Sequence, residues 1–175
     1  KTTKTIPQLT EILDPKNIKI AQRESLMWNT TQQKAIEYGN ILHEILSFVK
    51  TKNDVNLAVT KAIENGLIIA SQKEIVEKTI FEIVNHPDLI AFFTEENVIL
   101  NEKTIIQKEG NLIKPDRMVL TSTKEIYLLD YKTGSHQAKY TKQLENYQDA
   151  IEKMGYQVTK KALVYIGETL EVVNL

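Results

Sequence analysis

The sequence predicts one domain of the α/β (α+β) class, a mixed sheet with flanking helices behind an N-terminal helical region, and three observations predict it. Apolar residues recur at helical spacing from Thr31 to Lys50. After Asn97 the texture changes to short runs rich in Val, Ile and Thr, broken by turn residues. Helical spacing then returns at about Ala138, ahead of one more apolar strand. Helices, a meander, then a helix and a strand is the element order of a sheet covered by helices. At 175 residues, 42% hydrophobic and 26% charged, the chain is long enough for one domain (1–175) with its own core.

Residues 1–30 carry no sustained periodicity and read as an irregular lead-in with one short helix around Ile20 to Trp28. Residues 31–96 form the helical part. In its first helix Ala35, Tyr38, Leu42, Ile45, Leu46 and Val49 step by three and four, which marks a single apolar face. A shorter helix follows, with Asn53 as its cap and Gly66 as its stop. A third opens at Ser71, where Ser71-x-x-Glu74 has capping-box spacing ahead of Ile75, Thr79, Ile80, Ile83 and Val84, and His86-Pro87 closes it.

Residues 97–175 supply the sheet and one helix. Strands over Val98 to Gln107, Leu112 to Leu120 and Glu125 to Lys132 are joined by Lys108-Glu109-Gly110-Asn111 and Thr121-Ser122-Thr123-Lys124, giving a three-stranded meander. The helix from Ala138 to Lys153 ends before Gly155. Val158 to Ile166 reads as a buried strand and Thr169 to Val173 as an edge strand.

Composition excludes several chemistries. Cysteine is absent, so disulfides, thiolate zinc sites, an iron-sulfur cluster and a cysteine nucleophile are all excluded, and any metal takes oxygen and nitrogen ligands. No apolar run approaches the roughly 20 residues of a spanning helix. The start, Lys1-Thr2-Thr3-Lys4-Thr5, lacks the apolar stretch of a signal peptide. The expectation is no membrane and a cytoplasmic location. With 22 basic against 23 acidic residues and a pI near 6.4, the balance is far from that of a free-standing nucleic-acid binder. A chain beginning at lysine suits a fragment or processed product, brought to its partner by a larger neighbour.

The residues that carry chemistry lie in Asp130-Tyr131-Lys132-Thr133-Gly134. An apolar run, Ile126 to Leu129, feeds into it, and strand alternation points Asp130 and Lys132 one way and Tyr131 the other. A hairpin through Thr121 to Lys124 brings Asp116 beside Asp130. Two carboxylates that close repel unless a cation sits between them, which asks for a hard divalent metal with the lysine alongside. His43 stands four residues after Gly39 on one helix face, so the glycine leaves room over the imidazole for another element or a substrate. Gln143 and Tyr147 are an i, i+4 pair with Lys139 one turn earlier, although a core-edge pair has the same spacing. His86 reads as a helix terminator, His136 as a loop residue near enough to Gly134 to face substrate, and Trp28 and Tyr131 as packing residues.

Pro115-Asp116 followed by Asp130-x-Lys132 resembles the signature of the PD-(D/E)XK nuclease superfamily. Within it, Asp116-Arg117, Asp130-Tyr131-Lys132-Thr133-Gly134 and Gln143-Leu144-x-x-Tyr147, with Gly39-x-x-x-His43 upstream, are similar to the nuclease domain of RecB and AddA, fused to UvrD/Rep-type bacterial repair helicases. The likeness covers about Glu37 to Ile166. It implies a restriction-endonuclease-like fold and a deoxyribonuclease, an exonuclease by expectation, acting in double-strand-break repair and recombination. It implies Mg²⁺ or Mn²⁺ held by His43, Asp116, Asp130 and the Tyr131 carbonyl, with Lys132, Asp130 and Asp116 catalytic and no iron-sulfur cluster. Gln143, Tyr147 and Lys139 would meet DNA, single- or double-stranded, while Gly39, Glu102, Arg117 and Gly134 support. The implied partners are a helicase/ATPase region N-terminal in the same polypeptide and a second helicase-nuclease subunit, in the bacterial nucleoid. Two alternatives stay open: a catalytically silent nuclease-fold module that binds DNA or a protein, and a stand-alone phage or restriction-type endonuclease.

Overall fold

A computed structural model describes residues 31–107, 110–167 and 169–175. Three helices, α1 (Thr31–Phe48), α2 (Val55–Glu64) and α3 (Lys73–Val84), precede the strands β1 (Val98–Asn101), β2 (Ile105–Ile106), β3 (Leu112–Ile113), β4 (Arg117–Leu120) and β5 (Glu125–Thr133). Helix α4 (Ala138–Glu152) then crosses to β6 (Gln157–Ile166), and β7 (Leu170–Asn174) follows it. The main sheet runs β1-β4-β5-β6-β7, antiparallel at each step except the parallel β5–β6 pair that α4 connects. This is the expected mixed sheet with flanking helices.

Strand alternation decides which layer each residue joins. Leu129, Tyr131, Ala162, Val164 and Ile166 face a core built on α1, α2 and α3, around Leu42, Ile45, Val59 and Ile80. Leu128, Leu163 and Tyr165 face the opposite way and pack with Leu144, Tyr147 and Ile151 of α4. Both layers therefore meet at the C-terminal end of β5, where Tyr131 anchors one side and Asp130 and Lys132 look to the other. Among the described residues no helix is long and apolar enough to cross a membrane. The lead-in, with the expected helix near Trp28, lies outside the described residues.

Local details depart from the expectations in instructive ways. The first two strands of the meander are each broken in two, so β1 and β4 belong to the main sheet while β2 and β3 form a separate two-stranded arm. The breaks fall at Glu102, whose φ is +53°, and at Lys114-Pro115-Asp116, where proline removes a ladder donor. Asn53 is not the cap of α2: a 3₁₀ turn, Lys52–Asp54, leads into it, capped by Thr51, which accepts from Asn53 N–H and closes a capping box with Asp54. The expected Ser71/Glu74 box gives way to a short 3₁₀ turn, Ala70–Gln72, in which the Gln72 side chain accepts from Ile69 N–H at 2.9 Å.

Gly39 proves to be a contact with the sheet, and the space it leaves is filled by Thr133 rather than kept open over His43. A Cβ at position 39 would sit 2.2 Å from Thr133 Cγ2 and 2.9 Å from its Oγ1. Alanine is the better helix former by about 1 kcal/mol, yet Gly39→Ala is expected to lose about 1–3 kcal/mol through overpacking. Adding Thr133→Ala should recover most of that loss in urea denaturation. A single variant as stable as the parent would contradict the close approach.

Candidate metal centre

The site forms because β4 and β5 end side by side. Arg117 pairs with Leu129, so one residue further along the hairpin Asp116 lies abreast of Asp130. Asp116 Oδ2 accepts from the Tyr131 N–H at 2.8 Å, which pins the carboxylate to the neighbouring strand. From α1, His43 Nε2 lies 3.0 Å from the Tyr131 carbonyl. A carbonyl only accepts, so Nε2 carries the proton and the lone pair of the neutral ring is on Nδ1, which faces Asp116 Oδ2 at 3.6 Å. Burial holds the imidazole pKa below its usual value, which keeps His43 neutral and able to ligate near pH 7. In this arrangement the Tyr131 carbonyl orients the imidazole, as outer partners of metal-binding histidines do.

Glu102 joins them through the break in the first strand. Its N–H donates to the Asp116 carbonyl at 2.9 Å, and its carboxylate pairs with Lys114. One ligand atom each from His43, Glu102 and Asp116 lies within 4.8 Å of the others, so these three could hold a metal ion. A nitrogen and carboxylate oxygens are the donor set of a hard or borderline divalent cation. Glu102, expected only to support, is thus as close to the centre as the expected ligands.

Electrostatics point the same way. The Asp116 pKa is pushed up to about 8 by burial first and then by the charge of Asp130, against the opposing pull of the Tyr131 N–H and Lys132. The folded chain therefore keeps a proton on Asp116 that the unfolded chain releases above pH 3.8. Without a cation, stability from this group is full below that value and falls as pH rises toward about 8. A divalent ion binds the ionised form and releases the proton. The rise in melting temperature caused by Mn²⁺ should accordingly grow from pH 6 to pH 9 in scanning fluorimetry, and Asp116→Asn should flatten that trend. An increment independent of pH in the parent chain would rule out Asp116 as a ligand.

On the α4 side of the sheet, Lys132 Nζ pairs with Asp130, which is 1% exposed, and donates to Gln143 Oε1 at 3.1 Å. Gln143 Nε2 in turn donates to the Tyr147 hydroxyl at 2.6 Å, and that hydroxyl donates to the Lys114 carbonyl at 3.3 Å. The i, i+4 pair is therefore tied to the same lysine. Tyr140, missed from the sequence, puts its ring 4.8 Å from Lys132 Nζ. Its position three residues before Gln143 and seven before Tyr147 was the available signal. Asp130 is held by Lys132, outside the group of three that could grip an ion.

Other expected positions fall elsewhere. Lys139 is exposed, with its ammonium near the Tyr140 ring, and takes no part in the Gln143–Tyr147 chain. Gly134, at φ +92°, lets the chain leave β5 for α4. Arg117 is a correction. It is buried and points away from the carboxylates, donating to the carbonyls of Phe92, Val49 and Lys50 and lying over the Phe93 ring. Strand alternation explains this, because Arg117 and Asp116 are adjacent and must face opposite sides.

No family model matches the sequence, and no curated protein matches it. The crystal structure of SSO0001 is similar at 13% identity over 82% of this chain and 77% of that one, with a TM-score of 0.33. The cryo-EM structure of the DrdV–DNA complex is similar at 11% identity over 73% of this chain, with a TM-score of 0.28. This chain spans 12% of the DrdV chain. At such TM-scores neither likeness bears on function.

Proposed function

We propose that the chain is a divalent-metal-dependent deoxyribonuclease of the PD-(D/E)XK type, the nuclease domain of a RecB/AddA-like helicase-nuclease in DNA break repair. The observation that carries this reading is the convergence of His43, from a helix distant in sequence, with Asp116, Asp130 and Lys132 at the ends of β4 and β5. His43, Glu102 and Asp116 would hold Mg²⁺ or Mn²⁺, with Asp130 alongside. A bound ion of this kind supplies Lewis acidity at phosphate and an acidified water as nucleophile.

The chain's own groups supply the rest. Lys132, fixed between Asp130 and Gln143, presents a positive charge for the phosphate oxygens as negative charge builds on them. Gln143 and Tyr147, held to Lys114 between β3 and β4, keep that ammonium in one place. Tyr131 and Asp116 hold the two strand ends together, so the carboxylates do not have to reorganise when substrate arrives. A nearly neutral chain suits a domain delivered to DNA by an adjoining motor.

The purified chain with Mg²⁺ or Mn²⁺ is expected to degrade linear single- or double-stranded DNA, and a chelator should stop it. Calorimetric titration should show one divalent site that weakens in His43→Ala by more than the roughly 10- to 100-fold typical of losing an outer partner of a ligand. Metal binding without cleavage would favour a silent nuclease-fold module. Absence of both would dispose of the nuclease reading.

A further inference from the structure

Beside Lys132 the sheet carries an aromatic ledge that the proposed chemistry does not use. Tyr165 lies directly across from Lys132 in the parallel β5–β6 pairing, so its side chain stands on the α4 face next to that ammonium. The His136 ring stacks on Tyr165 at 3.8 Å between centroids and 11° from parallel. Tyr140 stands 6.4 Å from Tyr165 and also borders Lys132. The ledge therefore begins where the scissile phosphate would be and extends away from it.

His136 is the informative member. Its inner face is taken up by Tyr165, which is itself 6% exposed, yet the His136 side chain remains 51% exposed, so the outer face of the imidazole looks to solvent. Its Nε2 lies 3.1 Å from Glu171 of β7, which fixes the ring plane rather than leaving it to rotate. A flat ring, held edge-on by a hydrogen bond and backed by a second flat ring, is a surface for another flat group. Lys132 and Lys139, both near the Tyr140 ring, place positive charge along one side of it.

We propose that His136, backed by Tyr165, is a substrate-positioning residue that stacks an unpaired nucleobase of the strand being cut. This inference rests on the nuclease reading and adds a positioning residue to it. In a duplex each base already has neighbours on both faces, so the ledge offers nothing to it. An unpaired base gains a stacking partner whatever its identity, which makes the contact independent of sequence.

The test measures binding of the whole chain to a labelled oligothymidylate of about 10 nucleotides, with Ca²⁺ replacing Mg²⁺, and to a circular duplex. His136→Ala should weaken oligothymidylate binding about 5- to 100-fold and leave duplex binding within twofold. His136→Phe, which keeps a flat ring but loses the Glu171 contact, should restore most of the affinity. Equal binding by parent and His136→Ala would overturn the ledge while cleavage assays leave the nuclease reading standing. Failure of the phenylalanine variant to rescue would overturn stacking. If the parent chain does not bind the oligothymidylate, the ledge falls, while cleavage and metal titration decide the nuclease reading separately.

Discussion

Replacing Lys132 with glutamine is expected to lower DNA cleavage by on the order of 10²–10³-fold, the loss that follows removal of one fixed group stabilising charge in a transition state. Glutamine is the informative choice because its amide can still donate to Asp130 and meet Gln143, so the pocket stays filled while the positive charge is lost. Lys132→Ala should be equally inactive but less stable, since it leaves Asp130, 1% exposed, without its cation. Asp130→Ala should likewise abolish cleavage, through loss of the partner that aims Lys132. Initial rates on linear DNA with saturating Mg²⁺, measured beside melting temperatures, separate the two effects. A Lys132→Gln enzyme within tenfold of the parent would remove the lysine from the mechanism.

The second large effect concerns stability alone. Arg117→Met should destabilise the chain by about 1–3 kcal/mol for each buried acceptor that loses its donor. The physical cause is on the acceptor side. The carbonyls of Val49, Lys50 and Phe92 all take their hydrogen bonds from this guanidinium, and Asn101 holds it in place. Methionine fills the volume but donates to none of them, so the Phe92 carbonyl loses this donor, the Val49 carbonyl keeps only Asn101 Nδ2, and the carbonyl of exposed Lys50 turns to water. Arg117→Lys should fall between the two, because an ammonium cannot span three carbonyls as the planar fork does. Equilibrium unfolding in urea measures the change. Metal affinity of the fraction still folded should match the parent, since Arg117 and the carboxylates face opposite sides of the sheet.

That result would also mark the limit of what a motif conveys. Asp116-Arg117 reads as one unit in sequence, yet in the fold its two residues serve unrelated ends, one at the candidate centre and the other clamping the loop after α1. Adjacent strand residues always diverge in this way. Glu102 shows the reverse. Nothing in the run Val98 to Gln107 marks a break, but the positive φ at Glu102 ends β1 and turns that carboxylate to His43 and Asp116. Lys139 and Tyr140 make the same point on α4. Both lie one turn before Gln143, and side-chain reach together with the position of β5 selects the tyrosine to meet Lys132.

Periodicity and turn chemistry were sufficient to determine the order of helices, meander, helix and strand and the pairing of Asp116 with Asp130, because both follow from local rules of alternation and hairpin register. Where strands bend, which of two neighbours faces an ion, and what occupies the space above a glycine depend on contacts between segments distant in sequence. Gly39 against Thr133 is the plainest case, as no local rule links a helix residue to a strand end 94 positions later (133 − 39). Tertiary packing decided it, and with it the approach of His43 to Asp116, because only the docked helix and sheet fix the distances on which ligation depends.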